Sequence, residues 1–231
     1  MSPVTSFDRR AFLATVAAVL VAGCSKTAAS DGGADPVLLP PGGTFAPVSS
    51  AITSVAMVGD SITEGSAIAI DEALRGAGVE DVRIEGKASR RIEVGNGNGD
   101  APKSGVITVY ELLAEGLDPS VWVIELGTND IGGYNGAEEY GALIDSITEM
   151  LPTSKPLVWV NTYREQYLDD TLMFNLVLEQ RMADRGNAVI ADWYTVASAA
   201  DQTVLRSDNL HPNENGQSAL ALLILASLQQ L

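Results

Sequence analysis

The stretch Ser54-Val55-Ala56-Met57-Val58-Gly59-Asp60-Ser61 decides how this chain is read. A short apolar run ends on a glycine, an acid and a serine. Runs of this length bounded by turn residues read as buried β-strands. Gly59 lets the backbone turn tightly, and a helical pattern follows over about 62–76. The unit is therefore strand, tight turn, helix, with Ser61 in the turn.

The same alternation continues outward. Strands are expected at Ser54–Val58, Asp81–Ile84, Val121–Leu126, Leu157–Asn161 and Ala188–Ala191. Helices are expected at about 62–76, 105–116, 137–151, 169–185 and 213–229. Pro212 suits the first position of the last helix. The run Ala219 to Leu225 in that helix is apolar nearly all round, which predicts that it is buried. Strands alternating with helices imply an α/β fold with a parallel sheet of about five strands and right-handed crossovers. Sites in such sheets form outside the carboxyl ends of the strands.

Composition narrows the class. The chain has 231 residues, is 46% hydrophobic and carries 22 glycines. That is enough for one globular domain, read over 51–231. The formal charge is −16. It argues against nucleic acid and against anionic membrane surfaces, since both select basic patches.

The first 50 residues read differently. Asp8-Arg9-Arg10-Ala11-Phe12-Leu13 precedes the apolar run Ala14 to Gly23, which is too short to span a bilayer. An arginine pair before a short apolar stretch is an export-signal pattern and resembles a twin-arginine signal over 1–23. Leu20-Val21-Ala22-Gly23-Cys24 resembles the lipobox of bacterial lipoproteins, in which Cys24 is lipidated. Cys24 is the only cysteine in the chain, so no intrachain disulfide can form. Residues 24–50 are rich in Ser, Ala, Gly and Pro, a linker composition. The expectation is an exported protein of the bacterial cell envelope, attached to the membrane through its lipid alone.

Three strand-end signals carry the chemistry. Ser61 follows the first strand and Asn129, in Gly127-Thr128-Asn129-Asp130, follows the third. His211, the single histidine, lies in Ser207-Asp208-Asn209-Leu210-His211-Pro212 before the last helix. Each has a plain structural reading. Ser61 is also a good helix cap, a lone histidine is more often structural, and Asn129 could be a turn residue. Asp130 is read as structural, and Asp60 as a brace for neighbouring amides. Together they supply a nucleophile, a base, a carboxylate to orient the base and a donor for an oxyanion. The Asp-x-x-His spacing lets one loop present both side chains to one point, with the second ring nitrogen facing Ser61.

Other chemistries fit poorly. No Gly-x-Ser-x-Gly elbow surrounds Ser61. One histidine and one cysteine cannot furnish a zinc site, and no phosphate-loop motif is present. The Gly95-Asn96-Gly97-Asn98-Gly99 run reads as a turn, not a dinucleotide fingerprint.

Gly59-Asp60-Ser61, Gly127-Thr128-Asn129-Asp130 and Asp208-Asn209-Leu210-His211 resemble the first, third and fifth blocks of the SGNH (GDSL-like) hydrolase family, over roughly 52–229. The resemblance implies a three-layer α/β/α fold with a flavodoxin-like sheet. It implies Ser61 as nucleophile, His211 as base and Asp208 as its orienting carboxylate. Asn129 and the Ser61 N–H would bind the oxyanion, and no metal or organic cofactor is implied. The second block departs from the pattern. Many members have a glycine there whose N–H completes the oxyanion hole, and here the segment is Glu85-Gly86-Lys87-Ala88-Ser89-Arg90-Arg91. Either Gly86 or the backbone of Arg90 stands in that place. Its Ala-Ser-Arg-Arg wording resembles SGNH domains associated with O-acetylation of cell-wall or surface sugars. Arg90 and Arg91 either pair with the chain's acids, the preferred reading, or contact an anionic or sugar substrate. The expected activity is a serine esterase acting on short acyl esters of a small molecule or glycan. An O-acyltransferase and a non-catalytic envelope binding protein are the alternatives.

Overall fold

The computed structural model describes residues 45–199 and 203–231. Residues 1–23 and Cys24, read as export signal and lipidation site, lie outside the described residues, as does the linker up to residue 44. Five strands form one sheet: β1 Ser54–Gly59, β2 Asp81–Gly86, β3 Val121–Glu125, β4 Leu157–Val160 and β5 Ala188–Ala191. All pairings are parallel and the order is β2-β1-β3-β4-β5. This is the flavodoxin-like doubly wound order, and chain direction across the sheet reverses between β1 and β3. The α/β/α architecture expected from the sequence is the one found.

Among the described residues six helices cover the sheet: α1 Ser61–Gly76, α2 Gly105–Ala114, α3 Ala137–Thr148, α4 Leu168–Arg185, α5 Trp193–Ala197 and α6 Glu214–Leu228. The central strands β1, β3 and β4 are buried on both faces, so alternating residues feed two separate cores. Val55, Met57, Val123 and Val158 pack against α1, α5 and α6 through Ile70, Leu74, Trp193 and Leu220. Ala56, Val58, Trp122, Ile124 and Trp159 pack against α2, α3 and α4 through Leu112, Ile144 and Phe174. Full burial of each such side chain contributes roughly 1.5–3 kcal/mol. The edge strand β2 instead places Arg83 and Glu85, an ion pair at 2.7 Å, on its outer surface. Charge on an edge strand opposes further strand pairing.

The helix ends follow local chemistry. Ser104 caps α2 by accepting from the Ile107 N–H at 3.2 Å, and Asp192 caps α5 through Thr195. Gly186 ends α4 in the left-handed region at φ 77°. Two short elements have no counterpart in the sequence reading, the 3₁₀ turn Glu165–Tyr167 and α5. Pro212 is not the first residue of α6. Asn213 caps that helix by accepting from the Gly216 N–H at 3.0 Å, so the proline falls before the cap. The expectation of burial for α6 holds, with Leu220, Ile224 and Leu228 fully enclosed. Phe45 and Val48, within the stretch of linker composition, also pack on the α1 side of the core.

Candidate active site

The site assembles at the carboxyl ends of β1 and β3, where the strand order reverses. β1 runs into Gly59, Asp60 and Ser61. A Cβ on Gly59 would lie 1.9 Å from the Thr63 Oγ1, so only glycine lets α1 start this close to the strand. Asp60 caps α1, its Oδ1 accepting from the Ile62 N–H at 2.8 Å. Ser61 is then the first residue of the helix, and its N–H has no intrahelical acceptor.

His211 reaches Ser61 from the loop before α6. Its Nε2 lies 3.0 Å from the Ser61 Oγ. Its Nδ1 lies 2.8 Å from the Asp208 Oδ2. Asp208 Oδ1 accepts from the N–H groups of Leu210 and His211 at 3.0 and 2.9 Å. Burial pushes the Asp208 carboxyl up. Hydrogen bonds from the His211 ring and from these two amides outweigh it and hold the pKa at about 2. The loop is closed on itself. Arg206 N–H donates to the His211 carbonyl, Asn213 N–H donates to the Val204 carbonyl, and Asn209 sits at φ 54°. Asn209 also donates to Glu165 at 3.0 Å, tying the loop to the turn before α4.

Asn129 lies on the other side of the turn. Its Nδ2 donates to the Asp60 Oδ2 at 2.9 Å and to the Arg90 carbonyl at 3.1 Å. The carboxylate can only accept, so it fixes the amide with its nitrogen inward. Asp130 behaves as the structural residue expected. It accepts from Arg91 Nε at 3.1 Å and from the Ile92 N–H at 3.0 Å. Burial pushes its pKa up to about 6 against those bonds.

The second block packs against the nucleophile turn, but neither N–H expected from the sequence is presented to the oxyanion. Lys87 N–H bonds to the Gly59 carbonyl, and amide directions alternate along a strand, so the Gly86 N–H points toward the open edge of β2. Gly86 has a packing role, because a Cβ there would lie 2.4 Å from the Glu64 backbone nitrogen. Arg90 N–H is held by the Lys87 carbonyl at 3.1 Å in a tight turn. Its third residue, Ser89, adopts φ 62°, where glycine is favoured. The Arg90 side chain is 5% exposed and binds carbonyls, not acids: Gly59 at 2.8 Å, Lys103 at 3.1 Å, and Glu85. Of the two arginines only Arg91 pairs with an acid, Asp130.

One buried residue of the site was not visible in the sequence. Glu125 closes β3 and is 2% exposed. Its Oε2 accepts from the Thr63 hydroxyl at 2.8 Å, the Thr63 N–H at 3.2 Å and the Asp60 N–H at 3.3 Å. Burial, then the neighbouring Asp60 carboxylate, push the Glu125 pKa well up. Burial likewise pushes Asp60 up to about 6. A protonated Glu125 under the turn is thus consistent with a carboxylate on Asp60. In the sequence Glu125 is one acid in an apolar run, and nothing marks it as the floor of this turn.

In front of Ser61 a cleft of about 260 Å³ is lined by Ser61, Glu64, Gly65, Ser66, Arg206, His211 and Pro212. Pro212 is its only apolar side chain.

Comparisons with known proteins agree with this geometry. Residues 57–219 match the model of the GDSL-like lipase/acylhydrolase family. No curated protein sequence matches the chain. The fold is similar to the catalytic domain of a Streptococcus pneumoniae peptidoglycan O-acetyltransferase, at 20% identity and TM-score 0.61, over 81% of this chain and 95% of that one. It is similar to an M. smegmatis aryl esterase at 16% identity and TM-score 0.63, over 78% and 99%. It is also similar to a carbohydrate acetylesterase family member from Sinorhizobium meliloti at 15% identity and TM-score 0.57, over 78% and 100%. The chain belongs to the GDSL-like lipase/acylhydrolase family and is a serine hydrolase that acts on ester bonds.

Proposed function

We propose that the protein cleaves short acyl groups, acetyl foremost, from the hydroxyls of a small molecule or carbohydrate through an acyl-enzyme. The observation that carries this reading is the unbroken chain Asp208–His211–Ser61, with contacts of 2.8 and 3.0 Å. His211 Nε2 takes the proton of the Ser61 hydroxyl as Oγ attacks the ester carbonyl. Asp208 holds the imidazole in the tautomer whose Nε2 accepts, and stabilises the imidazolium. The oxyanion is bound by the Ser61 N–H and the Asn129 Nδ2. The N–H that Asn129 now donates to the Arg90 carbonyl is the one that turns to hydrogen-bond the oxyanion, since its other bond is shorter and ends on a carboxylate. Ser89 N–H, which has no acceptor among the described hydrogen bonds, is the second-block donor of this reading. His211 then protonates the departing alcohol, and water, activated by the same imidazole, releases the acid.

The short acyl group draws on likeness to the peptidoglycan O-acetyltransferase and the carbohydrate acetylesterase family member. The carbohydrate part of the reading draws on likeness to the carbohydrate acetylesterase family member and the peptidoglycan O-acetyltransferase. It is an analogy of fold. The test is hydrolysis of p-nitrophenyl acetate by the wild type beside Ser61→Ala. Activity lost with the serine supports the esterase. Acetyl transfer to an added glycan without release in water would make it an acyltransferase, and inactivity of a folded wild type on every ester would indicate a binding protein. The same proposal places the chain in the cell envelope, anchored through a lipid on Cys24.

A further inference from the structure

The cleft beside Ser61 holds a cation that the reaction above does not use. Arg206 is its only basic lining residue. Its Nε donates to the Pro212 carbonyl at 3.0 Å and its backbone N–H donates to the His211 carbonyl, so the residue is pinned to the loop that carries the base. Arg75, Arg83, Arg91 and Arg181 each sit within 4.0 Å of a carboxylate. Arg206, like Arg90, Arg164 and Arg185, has no such partner among the described residues, and unlike theirs neither of its Nη groups has a hydrogen-bond acceptor there. Its Nη2 lies over Gly65, where an added Cβ would meet it at 4.0 Å.

Gly65 is four residues after Ser61 on the same face of α1, about 6 Å along the axis at roughly 1.5 Å per residue. Gly65 and Ser61 both line the cleft, so Arg206 and the nucleophile face the same space. Ser66, next along the helix, is 1% exposed and lines the same cleft, and its Oγ has no hydrogen-bond partner. Glu64 also lines the cleft, but its carboxylate is turned to the second block. Oε2 accepts from the Ala88 N–H at 2.9 Å and Oε1 lies 3.6 Å from Lys87 Nζ. A pinned arginine without an acid, lining the same cleft as the nucleophile, is suited to an anion.

The cleft also tells which half of the ester carries the anion. His211, which gives its proton to the leaving oxygen, lines it, and Asn129, which faces the oxyanion, does not. We infer that Arg206 receives an anionic oxygen group, carboxylate or phosphate, on the alcohol half of the ester. This rests on the esterase reading and adds the substrate class to it.

Matched aryl esters test the inference. Wild type, Arg206→Gln and Arg206→Lys are assayed on para-acetoxybenzoate, on its neutral methyl ester, and on para-acetoxyphenyl phosphate. Arg206→Gln should lower kcat/KM about tenfold on one or both anionic esters relative to the neutral one, the scale of one charge-assisted contact in a half-open cleft. Arg206→Lys should recover part of the loss. The ester with the larger loss identifies carboxylate or phosphate. A loss shared by the neutral ester reports the missing Nε bond to the Pro212 carbonyl, so the anionic-to-neutral ratio of kcat/KM is the readout. An unchanged anionic-to-neutral ratio for both anions in Arg206→Gln would overturn the inference while leaving the esterase intact. If the wild type cleaves no ester, the esterase reading fails. The anion site is then decided by calorimetry with para-hydroxybenzoate and phenyl phosphate: tighter binding of either by wild type than by Arg206→Gln upholds it, and equal binding of both refutes it.

Discussion

Glu125→Gln should change how the stability of this protein depends on pH. In the folded protein Glu125 titrates well above its ordinary 4.5, and Asp60 is raised from 3.8 to about 6, in both cases chiefly through burial. A carboxyl whose folded pKa is raised binds its proton more tightly in the fold than in the unfolded chain. Stability is therefore complete below the unfolded value and falls as pH rises toward the folded one. Each such group lowers stability by about 1.4 kcal/mol per pH unit within its window. Asp60 alone, between 3.8 and about 6, accounts for about 3 kcal/mol. Glutamine keeps an oxygen for the three donors that Glu125 now satisfies, from Thr63 and Asp60, and it cannot ionise. The variant should lose stability less steeply between pH 5 and 7, by up to about 1.4 kcal/mol per unit. Asp130, also near 6, is common to both proteins and cancels. Asp208 acts in the opposite direction, but only as pH falls toward 2. Urea unfolding at pH 5, 6 and 7 reads the effect through the fluorescence of the buried Trp122, Trp159 and Trp193. Parallel stability curves for the two proteins would refute the buried, proton-holding Glu125.

Asn129→Ala should lower kcat about 100-fold or more with p-nitrophenyl acetate, the cost of removing one oxyanion donor, and near-normal turnover would remove Asn129 from that role. Gly216→Ala should impair the site from a distance, since its Cβ would fall 1.9 Å from the Val204 carbonyl and push on the loop bearing Asp208 and His211; the overpacking should cost roughly 1–3 kcal/mol in urea unfolding together with a lower kcat, and an unchanged Tm and kcat would show that the loop is not set by this contact. Cys24→Ser should move the protein from the membrane to the soluble fraction of cells, and continued membrane retention would refute lipid anchoring.

The parts of the fold that the sequence revealed are those with long, one-sided physical signals. The apolar runs at 54–58, 121–126 and 157–161 mark strands buried on both faces, and β5 falls on the four residues expected. The turn Glu165–Tyr167 and α5 were missed because elements this short carry no full period of apolar spacing. Pro212 misled because a proline suits the positions around a helix start, and only the bond from Asn213 to Gly216 shows which residue is the cap. The meeting of Ser61, Asp208 and His211 was legible since two of the three sit three residues apart and the third follows an unmistakable strand. Arg90 was not legible in the same way. Its partners are main-chain carbonyls of Gly59, Glu85 and Lys103, which no side-chain pattern encodes. The pairing of Glu125 with the Asp60 turn arises only when β3 is placed beside β1, with Gly59 opposite Glu125.

The central claim is that Ser61, activated by His211, is the nucleophile. Labelling the protein with a fluorophosphonate and mapping the adduct by peptide mass spectrometry tests it most directly. The account predicts one adduct per chain, on Ser61, formed far more slowly in His211→Ala. An adduct on another residue, or labelling that proceeds equally fast without His211, would contradict it.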